Sequence, residues 1–532
     1  MRWLLERVFG ARLEAETSAY LRGLRSKRVR TSRERAENLV ETLAASEGQT
    51  VPMGLADWGD VVAMPLPEFM RSHAFVSGAS GSGKTTFVYD KERSLLDLFP
   101  QTRGVGFGVL DAKQDLFDGT LCLISRRLAD LERTAARDLR RRIMVVDFSL
   151  RDPISPYNIL ARWPGADPEF FAQSRADLLL ELLPGADGVS LGGSALLRRA
   201  ILLLSEFSLP ITWLDVLLQD VRFRGRLLAR TQNADVAKYF ALQFPVLPKQ
   251  TIAALSRRME ALFASETVRL ALSGTSAPDF RALQDEGKIV LVNCFGTDIS
   301  RSVRQLLQAL ILSDIAHATF ARRHHENAFL WIADEAQNFF LTQHLRDHMM
   351  DLLTMARSFG THLMLVSQNM TTALQDARVL SVLHTNIRWA FAMRGEPGDC
   401  SFLRAALPVT GRRRKLQNNP FEEPAFHTLN EERAMVLDEI ANLPDRTGYL
   451  WLKSRSKEAL RVTVPTLSVP HGPELEAAVG QLRRDPTFGA RLSRKEHEQR
   501  VVARDNEWLR EPEGNLDATL TGTYRRVREG SA

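Results

Sequence analysis

The stretch His73-Ala74-Phe75-Val76-Ser77-Gly78-Ala79-Ser80-Gly81-Ser82-Gly83-Lys84-Thr85-Thr86 joins an apolar run to a glycine-spaced turn and then to a helix-compatible segment. Residues 78–85 satisfy G-x-x-x-x-G-K-[ST], a phosphate-binding pattern that needs a strand before it and a helix after it. Its residue types follow from the chemistry. Glycines let backbone N–H groups curl round phosphate oxygens, the helix N-terminus adds partial positive charge, and Lys84 reaches the β and γ oxygens. The Thr85 hydroxyl suits Mg²⁺. The loop predicts ATP and Mg²⁺ as ligands, contacted by Gly78, Ser80, Gly81, Ser82, Gly83, Lys84, Thr85 and Thr86. The bland alternative, a glycine-rich turn with a solvent lysine, is disfavoured by the strand-before, helix-after setting.

From about residue 60, short apolar runs ending in Gly, Asp or Ser alternate with helical stretches, the pattern of a parallel α/β sheet. The expected strands are His73–Ser77, Val105–Leu110, Ile143–Val146, Lys288–Asn293, Ala328–Ala333, Leu363–Val366 and Arg388–Met393. Between about 165 and 285 the apolar residues recur at helical spacing instead, as in Phe170, Phe171, Leu178, Leu179 and Leu182, which predicts an all-helical insertion. A hairpin is expected at Gly448–Leu452 and Leu460–Val464. The predicted divisions are a basic helical segment over 1–59, a core over 60–164, the helical insertion over 165–284, a second core part with the hairpin over 285–470, and a charged tail over 471–532 that is helical in pieces and partly mobile.

Hydrolysis needs more than a phosphate loop. In Ala328-Phe329-Leu330-Trp331-Ile332-Ala333-Asp334-Glu335 a buried-type strand ends in two acids. Neighbouring side chains on a strand point opposite ways, so Asp334 can orient Mg²⁺ while Glu335 polarises the attacking water. Helix capping is the plain alternative for such a pair. One strand later, Gln368 is placed to touch the γ-phosphate. Arg357, before the helix-capping Gly360, reads either as a surface arginine or as an arginine finger for a neighbouring subunit, and Arg394 is a weaker candidate for that task.

Composition bounds the rest. The 532 residues are 44% hydrophobic and 25% charged, which excludes a disordered or fibrous chain and allows roughly two to four domains. Three cysteines, Cys122, Cys294 and Cys400, form no CxxC pair, so neither a disulfide framework nor a zinc cluster is expected. No stretch reaches the ~18–20 apolar residues of a membrane span. The formal net charge of +6 is concentrated locally, with Arg22, Arg25, Lys27, Arg28, Arg30, Arg33 and Arg35 close together and a second run at Arg412-Arg413-Arg414-Lys415. Such clusters are either solvated faces or contacts for phosphates.

Together GASGSGKT, ADEAQNF, ARSFGTHLMLVSQ and GKIVLVNCFG resemble the HerA/FtsK superfamily of DNA-pumping ATPases, and within it the TraD/TraG class of conjugative type IV secretion coupling proteins. That class carries Asp-Pro-Lys-Gly-Glu after a strand; Asp111-Ala112-Lys113-Gln114-Asp115 is similar, with Ala112 and Gln114 departing from it. The resemblance implies a RecA-like P-loop core interrupted by an all-α domain, a homo-hexameric ring with nucleotide at subunit interfaces, and Arg357 acting in trans. It implies DNA, a relaxase or other relaxosome proteins, and membrane-bound type IV secretion components as partners. Typical coupling proteins begin with two membrane-spanning helices and this sequence shows none, so a cytoplasmic location, peripheral at the inner membrane, is expected. Two other readings keep the ATPase: a cytosolic HerA-like motor in DNA processing or defence, and a nucleotide-switched scaffold that recruits substrates. A DEAD-box-like helicase on Asp334-Glu335-Ala336-Gln337 fits poorly, since no arginine-rich segment follows. A metal hydrolase on His324-His325-Glu326 is weaker still.

Overall fold

Apolar, β-branched and aromatic runs become strands in the computed structural model, which describes residues 36–509 apart from 46–47, 100–104, 184–189, 369, 371–375, 399, 410–412, 414, 416–424, 468, 470–472 and 490. In chain order the strands are β1 (Thr50–Ala56), β2 (Val61–Pro65), β3 (His73–Ser77), β4 (Gly106–Asp111), β5 (Ile143–Asp147), β6 (Ile289–Asn293), β7 (Phe329–Ala333), β8 (Thr361–Ser367), β9 (Ile387–Met393), β10 (Thr447–Leu452) and β11 (Leu460–Thr463). The chain divides into two compact units. One holds the described residues through Leu98 and from Leu363 to 467, the other those from Phe99 to His362 and from Val469 onward.

In the first unit the strand order is β2-β1-β11-β10-β9-β3-β8. The phosphate-loop strand β3 is flanked in parallel by β8 and β9, and β10, β11, β1 and β2 extend this core antiparallel. Every residue of β3 is buried, as expected of a strand covered on both faces. Ser77 is in register with Ser367 of β8 and Ala392 of β9, so the three chains leave their strands at one level.

The second unit holds β7-β4-β6-β5, all parallel and all buried. Leu110 is level with Ala333, and Asp111 and Asp147 are both level with Asn293, which brings the strand-terminal acids to one edge. Ligands bind at that carboxyl edge in open α/β sheets. β4 can lie under the bulky Trp331 because residue 108 is glycine. A Cβ there would fall 2.3 Å from the indole ring. From Pro168 to Asp285 the described elements are all helical. The insertion is tied down by the buried Arg175, whose guanidinium meets Asp314 on the helix Arg301–Phe320; the same carboxylate accepts from Tyr157 and, at 2.6 Å, from the Trp163 indole.

All seven expected strands are present, with ends shifted by one or two residues. Two expectations change, and one lies outside the described residues. Residues 50–56 belong to the sheet rather than to a helical segment, because β1 pairs with β2 and β11; Pro52 and Gly54 lower its local strand preference and mark a register shift, so only tertiary pairing makes it a strand. Residues 473–509 contain helical pieces, as expected of the tail, but these are packed on the second unit. The helix Pro473–Arg483 packs on the helix Asp115–Asp130, with Arg483 reaching Asp147 at 2.9 Å, Ser149 at 2.7 Å and Asp118 at 3.4 Å. The helix Arg494–Leu509 follows, with Trp508 buried against Phe207. The basic cluster Arg22–Arg35 and residues 510–532 lie outside the described residues, so the helical N-terminal segment can be followed only from residue 36.

Candidate active site

In the first unit the chain turns out of β3 after Ser77 and is clamped from two sides. Ala79 N–H donates to the Arg394 carbonyl at 2.6 Å, and Arg446 N–H donates to the Ser82 carbonyl at 2.7 Å. Gly83, at φ 104, caps the helix Lys84–Asp97 without a side-chain acceptor, so the first-turn N–H groups keep their capacity for an anion. The Lys84 side chain is buried and its ammonium donates to the carbonyls of Gly78 at 2.6 Å and Ala79 at 2.8 Å. A buried cation set among neutral carbonyls favours a nearby anion. The buried Ser82 hydroxyl has no hydrogen-bond partner among the described residues. Ser80, Gly81 and Thr85 are exposed and Thr86 is half-buried, so these hydroxyls are open to a ligand. Gln368 leaves β8 beside the point where Gly78 leaves β3, because Ser367 and Ser77 are in register.

Two arginines flank this loop in the same unit. Arg394 pairs with Asp445 at 2.7 Å, and its Nη2 lies 3.9 Å from where a Cβ on Gly81 would stand. Arg446, absent from the sequence-based candidates, presses its Cα and Cγ on Gly83. Its sequence signal is thin, an arginine between Asp445 and the strand start Thr447, with nothing to connect it to a loop so far away in the chain.

In the second unit the acids converge. Asp334 N–H donates to the Leu110 carbonyl at 3.1 Å, holding the end of β7 beside β4. Glu335 follows in the left-handed region at φ 51, an uncommon backbone for a non-glycine residue that clusters at functional sites. Its carboxylate pairs through Oε1 with the Lys113 ammonium and accepts at Oε2 from the Gln337 amide. Asp111 is fully buried and accepts from Lys113 N–H and Phe117 N–H, both at 2.7 Å, so it organises the turn that presents Lys113. Burial pushes the Asp111 carboxyl up to about 6 against the pull of those N–H donors. Burial, then the charges of Asp111 and Glu335, push Asp334 up to about 7. Crowded acids of this kind suit a cation. Among the described residues no three His, Cys, Asp or Glu side chains are grouped as a metal cage. Mg²⁺ is usually held by one or two carboxylates, waters and substrate phosphates.

No protein-family model and no curated protein matches the chain. Solved structures do. The bacterial conjugative coupling protein TrwBΔN70, in its unbound form, is 16% identical and superimposes with a TM-score of 0.50 over 85% of this chain and 94% of its own. VirB4 of Thermoanaerobacter pseudethanolicus is 12% identical, with a TM-score of 0.50 over 81% of this chain and 98% of its own. The fold is that of a RecA-like P-loop ATPase.

Within this fold Arg357 stands apart from the acids of its own unit. It is exposed on the turn Ala356–Phe359, closed by Gly360 at φ 72. The Gly360 carbonyl accepts from Phe329 N–H at the start of β7, whereas Asp334 and Glu335 follow its end, about 16 Å away along a five-residue strand. His324 turns to Glu326 at 3.0 Å and His325 to the Arg322 carbonyl at 2.7 Å, so these histidines do not converge. In the basic loop Arg413 pairs with Glu439 and Lys415 with Glu431; Arg412 and Arg414 lie outside the described residues. Among the described residues no single helix is long and apolar enough to cross a membrane.

Proposed function

We propose that the chain is an ATP-hydrolysing motor that drives DNA, with an attached relaxase, toward a type IV secretion conjugation channel. The observation that carries this reading is the clamped phosphate loop, with buried Lys84 and an open helix N-terminus, in a fold shared with a conjugative coupling protein. In the first unit the N–H groups of 78–86 and the Lys84 ammonium take the phosphates, the Thr85 hydroxyl takes Mg²⁺, and Gln368 reads the terminal phosphate. In the second unit Asp334 would orient Mg²⁺ and Glu335 would accept a proton from the attacking water. Mg²⁺, when bound, neutralises charge developing on the phosphate oxygens.

The working form in this proposal is a homo-hexamer in the cytoplasm, peripheral at the inner membrane, with membrane-bound type IV secretion proteins as neighbours and Arg357 acting on the next subunit's nucleotide. The test is steady-state ATP turnover with and without DNA. Wild type should hydrolyse ATP faster with DNA, and Lys84→Ala and Glu335→Gln should each lose that activity. Equal turnover in all three proteins rules the reading out. A DNA-independent rate that still needs Lys84 and Glu335 points to a nucleotide-switched scaffold.

A further inference from the structure

Lys113 and Gln337 occupy both oxygens of the carboxylate assigned to water activation. The Lys113 ammonium meets Oε1 of Glu335 and the Gln337 amide meets Oε2. The two partners of the ion pair differ in exposure: the Glu335 side chain is 9% exposed and that of Lys113 is 44% exposed. Lys113 is presented by a rigid turn. Asp111 grips its N–H and that of Phe117, and Gln114 takes a left-handed backbone at φ 77 to cap the helix Asp115–Asp130 while its amide donates to Asp118 at 2.8 Å. The acid on the other side of the pair is equally fixed, since Glu335 sits at φ 51 between the strand end and the turn Ala336–Phe340.

A carboxylate whose oxygens both accept from protein donors has less capacity to take a proton from water. We infer that Lys113 is a positioning residue that restrains Glu335, and that ATP turnover requires its ammonium to be drawn off. This rests on the assignment of Glu335 to water activation. The exposed end of the pair, Lys113, is the one an outside anion can reach. The same arrangement explains why Asp111 and Lys113 stand two residues apart after β4: the buried acid shapes the turn and the lysine works at its tip.

The experiment compares DNA-free ATP turnover of full-length wild type, Lys113→Gln, Lys113→Arg, Glu335→Gln and the double variant Lys113→Gln/Glu335→Gln. Lys113→Gln should raise kcat up to about fivefold, the rate equivalent of about 1 kcal/mol, with KM for ATP unchanged. Lys113→Arg should restore the wild-type rate because it keeps the pair, and the double variant should lose the gain. Thermal melting of each variant controls for folding, and the half-exposed Lys113 side chain makes a folding defect a small concern. A Lys113→Gln kcat equal to or below wild type, with Glu335→Gln inactive, overturns the restraint alone. A Glu335→Gln rate equal to wild type overturns the role of Glu335 itself.

Discussion

Arg446 closes on Gly83. Its N–H donates to the neighbouring Ser82 carbonyl at 2.7 Å, and a Cβ on Gly83 would lie 2.7 Å from Arg446 Cγ and 3.0 Å from its Cα. Gly83 also sits at φ 104, a region L side chains rarely adopt. Gly83→Ala should therefore distort the loop at its most crowded point. Nucleotide affinity is expected to fall by at least about tenfold, or about 1.4 kcal/mol, in a titration with a fluorescent ATP analogue. Unchanged affinity would mean that Arg446 yields easily and does not shape the loop.

Arg357 lies at the opposite end of β7 from Asp334, which suits the proposed action on another subunit of a ring. Arg357→Ala should lose about a thousandfold in kcat, the lower range for arginine fingers. Mixing it with Lys84→Ala should recover turnover, because such rings contain interfaces with an intact loop facing an intact arginine. Failure of the mixture, with both variants folded and assembled, argues against a trans role.

Asp285 and Arg322 form a buried pair at 3.0 Å, and Arg322 also donates to Thr361 and to the carbonyls of His324 and Asn327. Burial would raise the Asp285 carboxyl, but the Arg322 hydrogen bond and the N–H groups of Arg323 and His324 outweigh it and hold the group below its ordinary value. A depressed carboxyl stabilises the fold above its unfolded value, about pH 4, and loses that contribution as pH falls further. Asp285→Asn should cost about 3 kcal/mol at pH 7, since it leaves Arg322 buried without its partner. Denaturant titrations from pH 7 to 3 should show the gap to wild type narrowing below pH 4; a constant gap counts against the pair.

Arg483 fastens the helix Pro473–Arg483 to the second unit through Asp147, Asp118 and Ser149. Arg483→Ala leaves Asp147, a wholly buried acid, without its cation. Limited proteolysis should cut the variant within 470–509 faster than wild type while the remainder stays intact. Equal cleavage would mean that the helix is held by its apolar face alone.

Gly108 and Trp331 meet across β4 and β7 so closely that no Cβ fits. Gly108→Ala should destabilise the second unit by about 1–3 kcal/mol through overpacking, read from chemical denaturation. A Gly108→Ala/Trp331→Phe double variant should recover part of the loss if ring size is the cause.

The strands and the phosphate loop were legible because their signals are local. A run such as Phe329–Ala333 is apolar on both faces, and GASGSGKT needs no distant residue to be recognised. β1 was hidden for the opposite reason: TVPMGLA carries Pro and Gly and becomes a strand only between β2 and β11. The C-terminal helical pieces are legible in the sequence but their packing is not, because their charges look solvated, whereas Arg483 spends its charge on buried acids. Asp111 and Lys113 were visible as a motif, yet the contact of Lys113 with Glu335 joins residues far apart in the chain.

Chain order and residue type alone therefore carried the α/β architecture and the helical insertion and singled out Lys84, Asp334 and Glu335 as candidates, since periodicity and short motifs depend on neighbours within a few residues. Folding settled which side chains constrain them. Arg446 and Arg394 on the phosphate loop, and Lys113 on Glu335, meet their partners because strands distant in sequence end at one edge of a sheet, and no local pattern encodes that meeting.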